Sequence, residues 1–459
     1  MAGQKQAREQ GSTELARMRE YFGTGVTRPA EFRIRALRAL GQAVKNREGE
    51  LLAALSEDLG KGGFEAYATE LGMFYHELSV AEKNLKKWMK PRRAKGGIAN
   101  FPSKCRVTPE PKGVVLIFVP WNYPLQLGLV PLVAALAAGN AAYVTFSERS
   151  PASSDALVRL LSDAFDPRLV YAERGSVERN GFLLAQTFDH IFFTGSTRVG
   201  RIVYEAAAKN LTPVTLELGG KSPVVVDATA DLKLAARRIV WGKCLNCGQT
   251  CVAPDYLLAE RSILPELVEE LKSAYLAMYP GGAESPDWGK LIDAAAFDRA
   301  ERFLEGQEIV YRGGTPDREK RRFPLTLIFP APNAAAMAEE LFCPILPILP
   351  FDSAAGAKEE ILKRPTPLAL YVFTRDARTA EEFSALPFGG GCINDTVSHL
   401  LPEGLPFGGA GESGLGSYHG YRGFFELSHF KSVLSRGGFE LNMKYPPYGS
   451  DKTLRRFWK

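Results

Sequence analysis

Cysteine and histidine are scarce in this chain of 459 residues, with six of the first and five of the second. Six cysteines are too few for a disulfide framework, so they read as thiols in a reducing compartment, and a cytoplasmic location is expected. An excess of either charge is also missing. Lys and Arg total 57 against 52 Asp and Glu, a net charge of +5, which argues against a nucleic-acid partner or an anionic membrane surface. The first twenty residues are charged throughout and contain no apolar run of the kind a secretory signal needs. No internal repeat or low-complexity tract stands out. One long uncharged run does occur, from Gly113 to Ser147, and a spanning helix needs only about 20 apolar residues. Pro120, Pro124 and Pro131 break it, and Asn122, Gln126 and Asn140 are polar. It therefore reads as a buried strand, a Pro-rich loop, a helix and a second strand, and no integral membrane segment is expected.

Hydrophobic residues make up 45% and charged residues 24%, values ordinary for a globular chain that needs no metal or disulfide to hold its core. At roughly 150 residues per domain, the length predicts two or three domains. Near the N-terminus Ile34, Leu37, Leu40, Val44, Leu51, Leu52 and Leu55 recur at helical spacing, and helix continues over about 65–90. Strands are then predicted at Val114–Val119, Ala142–Phe146, near Leu169 and at His190–Phe193. Helices are predicted at about 127–138, from Ser153, near Val177 and from Ser196. After Lys221 the alternation restarts, with strands at Pro223–Val226 and Tyr256–Glu260 and helices at about 232–243 and 263–278. Such alternation implies an α/β fold with mostly parallel sheets covered on both faces.

Two glycine-rich stretches invite a phosphate-binding reading. Gly409-Ala410-Gly411-Glu412-Ser413-Gly414 fits G-x-G-x-x-G, but no strand precedes it and no acidic residue follows about 20 positions on, so it reads as a tight loop. Phe193-Thr194-Gly195-Ser196 joins a strand to a helix, where free backbone N–H groups can hold a pyrophosphate, or where Thr and Ser simply cap. Cys244, Cys247 and Cys251 form C-x2-C-x3-C. A closed metal site would need a fourth ligand, and the nearest downstream histidine is His399, so no metal is expected. Cys244 and Cys247 share a helical spacing and read as small core residues. Cys251 follows Gly248-Gln249-Thr250, a helix-breaking sequence that lifts a thiol out of the packing, and reads as a nucleophile.

Five motifs, in order, now accumulate: Pro120-Trp121-Asn122-Tyr123-Pro124, Phe193-Thr194-Gly195-Ser196, Glu217-Leu218-Gly219-Gly220-Lys221-Ser222-Pro223, Gly248-Gln249-Thr250-Cys251 and Pro406-Phe407-Gly408-Gly409. Together they resemble the aldehyde dehydrogenase superfamily over about residues 14–445. Ser417-Tyr418-His419-Gly420 and Lys444-Tyr445-Pro446-Pro447 are similar to its class 3, dimeric branch in particular. The resemblance implies a Rossmann-like, parallel-sheet NAD(P)-binding domain over 1–76 and 107–218 and a second α/β catalytic domain over 219–394. It further implies a small bridging and oligomerisation element from 77–106 and 395–445, a charged tail over 446–459, and a homodimer.

By the same resemblance Cys251 is the nucleophile, Glu217 the general base for a deacylating water, and Asn122, with the Cys251 backbone N–H, the oxyanion donor. The implied reaction is oxidation of an aliphatic or aromatic aldehyde to its acid, through a thiohemiacetal and a thioester on Cys251, with NAD, and NADP as a possible second acceptor. Trp121, Thr145, Glu148, Gly195, Ser196, Glu340 and Phe342 are the implied cofactor contacts. Two departures stand out. Thr145-Phe146-Ser147-Glu148 replaces Lys-Pro-Ser-Glu, so Thr145 stands where a lysine would contact the adenosine ribose. Glu340-Leu341-Phe342-Cys343-Pro344 has cysteine in place of glycine, and a positive φ there would cost about 1 kcal/mol or more. An acylating enzyme that uses coenzyme A and a non-catalytic binding paralogue are the rival readings. The apolar neighbours Val214, Leu216 and Leu218 are expected to raise the Glu217 pKa.

Overall fold

The computed structural model describes residues 2–97, 100–439, 445–447 and 455, with side chains described from residue 13 onward. Lys444 of the last motif and most of the expected tail lie outside the described residues. The strands are β1 (Arg92–Ala94), β2 (Ser103–Pro111), β3 (Val114–Val119), β4 (Ala141–Phe146), β5 (Val170–Arg174), β6 (His190–Thr194), β7 (Val214–Glu217) and β8 (Pro223–Val226). They continue with β9 (Tyr256–Glu260), β10 (Glu308–Arg312), β11 (Thr326–Phe329), β12 (Ile345–Phe351), β13 (Ala369–Phe373), β14 (Gly390–Ile393), β15 (Gly414–Leu415) and β16 (Ser428–Arg436).

Three sheets result. The first has the order β15-β7-β6-β3-β4-β5, parallel except for β15, and the second the order β10-β11-β12-β9-β8-β13-β14, parallel except for the β10–β11 pair. The third is the antiparallel β1-β2-β16. Every residue of β3, β4 and β8 is buried, which is why these strands are unbroken apolar runs rather than alternating ones. In the first sheet the chain runs β3, β4, β5 outward and then returns to place β6 beside β3. That reversal opens a crevice at the carboxyl ends of β3 and β6, where open α/β sheets bind ligands.

The helix Gln126–Ala138 that follows β3 is buried along its whole length, sandwiched between the sheet and the helices Ala30–Asn46 and Gly72–Trp88. It ends at Gly139, whose φ of +89° suits glycine, and a Cβ there would meet the Arg33 guanidinium at 2.5 Å. Buried Arg33 in turn donates to the carbonyls of Thr27 and Ala137, which ties the N-terminal helices to the end of this helix.

Several expectations need correction. The helix predicted over about 65–90 is interrupted by a π-turn, Tyr67–Leu71. The helix before the cysteine motif stops at Cys244, and Cys247 sits in a left-handed turn, although both cysteines are buried in the core. The boundaries at 76 and 106 fall inside the helix Gly72–Trp88 and inside β2, because a nine-residue ladder with β16 keeps β2 intact. Within residues 395–439, β16 joins β1 and β2 in the third sheet. β15 joins the first sheet beside β7, and the helix Gly420–Glu426 packs on Gln126–Ala138. Among the described residues no helix is long and apolar enough to cross a membrane.

Gly139→Ala should destabilise the protein by at least about 1 kcal/mol from the left-handed φ alone, with the Arg33 collision added. Thermal melting of the variant checks this, and a midpoint equal to wild type would refute it.

Candidate active site

Cys251 owes its position to the turn before it. Asn246, Cys247 and Gly248 have φ values of 51°, 54° and 74°, a left-handed run that reverses the chain after the helix Leu232–Cys244. Non-glycine residues resist this conformation, so surrounding bonds must hold it. The Asn246 N–H donates to Glu65 Oε1 at 2.8 Å, and its side-chain amide donates to the Asn122 carbonyl at 2.7 Å and the Gln249 carbonyl at 3.2 Å. Gln249 is clamped at both ends of its amide: it donates to the Asn246 and Lys290 carbonyls at 3.0 Å each and accepts from the Ile292 N–H at 2.9 Å. Gly248 is required here, since a Cβ would fall 2.5 Å from the Cys343 carbonyl carbon. Cys251 is thereby left half-buried as a residue while Cys244 and Cys247 are buried.

The loop that carries Asn122 is fixed to the same turn. Asn122, 4% exposed, donates from Nδ2 to the Gln249 carbonyl at 3.1 Å and retains a second N–H on that nitrogen. Its own carbonyl accepts from Lys61 Nζ at 3.1 Å. Lys61 pairs with Glu70 at 2.5 Å with both side chains fully buried, and its ammonium lies 3.7 Å from the centre of the Tyr123 ring. The other Glu70 oxygen accepts the N–H groups of Leu125 and Gln126 at 3.0 and 3.2 Å. Tyr123 completes the loop with a 2.6 Å hydrogen bond to the Thr250 hydroxyl.

Glu217 closes β7 beside this turn. It is 3% exposed, and neither carboxylate oxygen has a hydrogen-bond partner among the described residues. Burial, followed by the neighbouring Glu426 carboxylate, holds its pKa well above the ordinary carboxyl range. Thr215, on the same face of β7, hydrogen-bonds Glu426 at 3.4 Å, which locates that second carboxylate. An orphaned buried carboxylate is expensive to keep, and such groups concentrate where chemistry is done. Burial also raises the Cys251 thiol, with further contributions from Glu340 and Glu217, while the N–H groups of Cys251 and Val252 favour its thiolate. The G-x-G-x-x-G stretch lies here as well: Gly414 pairs with Glu217, and the N–H of Leu218 donates to the Ser413 carbonyl at 3.1 Å.

On the facing side, burial and then Asp255 push the Glu340 carboxyl up to about 8. A Cβ on Gly219 would collide with that carboxylate at 2.1 Å, so the motif glycine is what admits it. Lys221 and Asp255, paired and buried, hold the Glu340 segment from beneath: Lys221 donates to the carbonyls of Ala336 and Glu339 at 2.7 and 3.1 Å, and the Leu341 N–H donates to Asp255 at 3.0 Å. Phe342 meets Trp121 edge to face at 5.5 Å. The positive φ of this motif, 54°, belongs to Phe342 and not to Cys343, which is a buried core residue. The expected strain at Cys343 is therefore absent.

Glu148 is exposed just past β4. Thr145 is 2% exposed and its hydroxyl donates to Asn180 at 3.1 Å. Ser196 caps the helix Thr197–Lys209 through the Val199 N–H, and the Gly195 N–H is taken by the Glu217 carbonyl at 3.0 Å, so the latter is not free for a phosphate. Arg149 is spoken for as well, with two hydrogen bonds to Asp293 and its guanidinium 4.7 Å from the Trp121 ring centre. Among the described residues no group of three or more His, Cys, Asp or Glu is placed to hold a metal ion.

Comparison with known proteins bears on the same constellation. The aldehyde dehydrogenase family matches residues 4–433. The 4,4'-diaponeurosporen-aldehyde dehydrogenase of Staphylococcus aureus is 41% identical over 445 residues, 96% of this chain and 97% of that one. The dimeric, NADP-preferring aldehyde dehydrogenase of Canis lupus familiaris is 40% identical, with 95% and 97% covered. The substrate-bound structure of Staphylococcus aureus AldH superposes with a TM-score of 0.95 at 40% identity, covering 98% of this chain and 99% of that one. The chain belongs to the aldehyde dehydrogenase family. It is an NAD(P)-dependent oxidoreductase of the class 3 type that turns aldehydes into acids.

Sequence reasoning missed Lys61, Glu70, Glu65 and Asn246, which face the motif loops only once the N-terminal helices fold back onto them. The Gly60-Lys61-Gly62-Gly63 break between helices was the one available signal. Lys61→Met leaves the buried Glu70 charge unpaired and should cost about 3–5 kcal/mol of stability. The double variant Lys61→Met, Glu70→Leu should regain much of that stability yet keep a depressed kcat, because the Asn122 carbonyl loses one of its two donors in both. Melting and turnover of the three proteins test this, and full activity in the double variant would show that the pair only stabilises the fold. Glu426→Gln removes the repulsion that raises Glu217. The rising limb of the kcat–pH profile should therefore move to lower pH, and an unmoved limb would mean that another group governs it.

Proposed function

We propose that Cys251 adds to the aldehyde carbonyl, that Asn122 and the Cys251 backbone N–H stabilise the oxyanion, and that Glu217 deprotonates the water that resolves the thioester. The observation that carries the reading is the pairing of a lifted, half-buried thiol with a dry, unpartnered Glu217 carboxylate. In the first half-reaction the thiolate sulfur bonds the carbonyl carbon, and the oxygen takes the negative charge. Loss of hydride then leaves a thioester on Cys251. In the second, Glu217 takes a proton from water, the hydroxide displaces the sulfur, and the carboxylic acid leaves. A bound dinucleotide would serve as the hydride acceptor. The residues suit one: Glu340 sits over the glycine backbone at 219 where any Cβ would collide, Trp121 and Phe342 form an aromatic edge beside it, and Glu148 stands past β4. We assign the first sheet and its helices to cofactor binding and the second sheet to the Cys251 turn. The acylating and non-catalytic alternatives are not favoured, since the curated relatives are named aldehyde dehydrogenases.

NAD is the preferred acceptor in this reading, although the canine relative prefers NADP. Exposed Glu148 repels a 2′-phosphate, no lysine replaces Thr145, and Arg149 is already engaged by Asp293 and Trp121. A cytoplasmic homodimer fits six unpaired thiols, the dimeric relative, and exposed Val433 and Leu434 on the outer strand β16.

Cys251→Ala should abolish aldehyde oxidation and leave melting and cofactor binding nearly unchanged; retained turnover would overturn the assignment. Glu217→Gln should slow steady-state turnover by roughly 10²-fold while a pre-steady-state burst of reduced cofactor persists. Wild-type turnover in that variant would place the base elsewhere. Glu148→Gln should raise kcat/KM with NADP relative to NAD, and an unchanged ratio would remove Glu148 from cofactor selection.

A further inference from the structure

Between the N-terminal helices and the second sheet lies a cavity of about 700 Å³ that the aldehyde chemistry does not use. That volume falls in the range of small-molecule sites. One wall is the Gly60–Gly63 turn together with Ser56, and the other carries Lys290, Lys320 and Arg322. The cations are poorly compensated. Arg322 spends Nη1 on the neutral carbonyls of Ala283 and Ser285, and no carboxylate pairs with it among the described residues. Lys320 is loosely held, 3.6 Å from Glu284 and 3.4 Å from Asp317, with 60% of its side chain exposed. Lys290 makes no ion pair and no side-chain hydrogen bond among the described residues. Its stem rests on Gly60, where a Cβ would come within 3.1 Å of the Lys290 Cγ.

Of the acidic groups nearby, Asp58 is committed, accepting the N–H groups of Ala152 and Ser153 at 3.2 and 2.7 Å, while an Asp287 carboxylate oxygen lies 3.5 Å from where a Cβ on Gly62 would stand. Burial first, and then Arg321, lowers the pKa of Lys290, while Asp58 and Glu57 pull it the other way. Three cations around one cavity, two of them without a carboxylate partner, repel one another unless an anion enters. The Gly62 and Gly63 main chain, bare of side chains, lets such an anion approach closely.

We infer that this cavity binds a phosphate-type polyanion, the ligand class whose several acceptor oxygens can engage two ammonium groups and a guanidinium together. The site adjoins the catalytic machinery on both walls: Lys61 in one carries the Asn122 carbonyl, and the Lys290 carbonyl in the other accepts from Gln249. A ligand there sits one hydrogen bond from each catalytic loop.

Isothermal titration with inorganic pyrophosphate at fixed ionic strength, on protein saturated with NAD so that the cofactor site is closed to it, tests the inference. One site per chain is expected. Lys320→Gln, a change at an exposed side chain, should weaken binding about five-fold, and Lys290→Gln with Lys320→Gln should abolish it, while Arg38→Gln on a remote exposed helix face leaves it intact. Absence of binding at millimolar pyrophosphate in the wild type, or equal affinity in the wild type and the Lys290/Lys320 double variant, would overturn it.

Discussion

The buried ion pair between Lys61 and Glu70 is the constraint on which the catalytic geometry rests. Two fully desolvated charges repay their burial only if their remaining donors and acceptors are also used, and here they are. Lys61 reaches the Asn122 carbonyl, and Glu70 takes two backbone N–H groups just beyond it. The loop bearing Asn122 is therefore gripped at its carbonyl and at the start of the next helix. Asn246 and Gln249 extend that grip to the left-handed turn before Cys251. The strain of three successive positive φ values is supported by bonds from three separate stretches of chain, so Cys251 and Asn122 are held to one rigid frame.

Electrostatics sets a second constraint. Cys251, Glu217 and Glu340 are all acids, each raised by burial, and the two carboxyls disfavour the thiolate. With its pKa near 8, Glu340 is largely protonated at neutral pH, which lifts part of that repulsion from the thiol. Burial, and after it the Glu426 carboxylate, also raises Glu217. A carboxylate of raised pKa is a stronger base toward water than an exposed carboxylate of ordinary pKa.

Much of this was legible in the sequence, and for physical reasons. Strands β3, β8 and β9 were readable to the residue because burial on both faces demands continuous apolar runs bounded by turn residues. Cys251, Glu217 and Asn122 lie on loops or strand ends whose glycines and prolines mark them locally. What stayed hidden depends on contacts between distant segments. Lys61 meets Asn122 across 61 residues, and Asn246 meets Asn122 across 124. The inward turn of Thr145 follows from the Asn180 side chain on a helix 35 residues away. The left-handed φ at Phe342 rather than Cys343 follows from the packing of the Cys343 main chain against Gly248, and no local pattern encodes that contact.

Arg149 joins these threads. Its guanidinium bridges from the end of β4 in the first sheet to Asp293, which also caps the helix Ala294–Leu304, and it covers the face of Trp121. Trp121 in turn abuts Phe342, beside Glu340. A single side chain thus links the loop after β4, the loop after β3 and, through Trp121, the segment that carries Glu340. A guanidinium held by two hydrogen bonds to one carboxylate oxygen and by an aromatic face gives up both contacts if it swings away. Anything that draws Arg149 away from Asp293 therefore also uncovers Trp121 and loosens its alignment with the Glu340 segment.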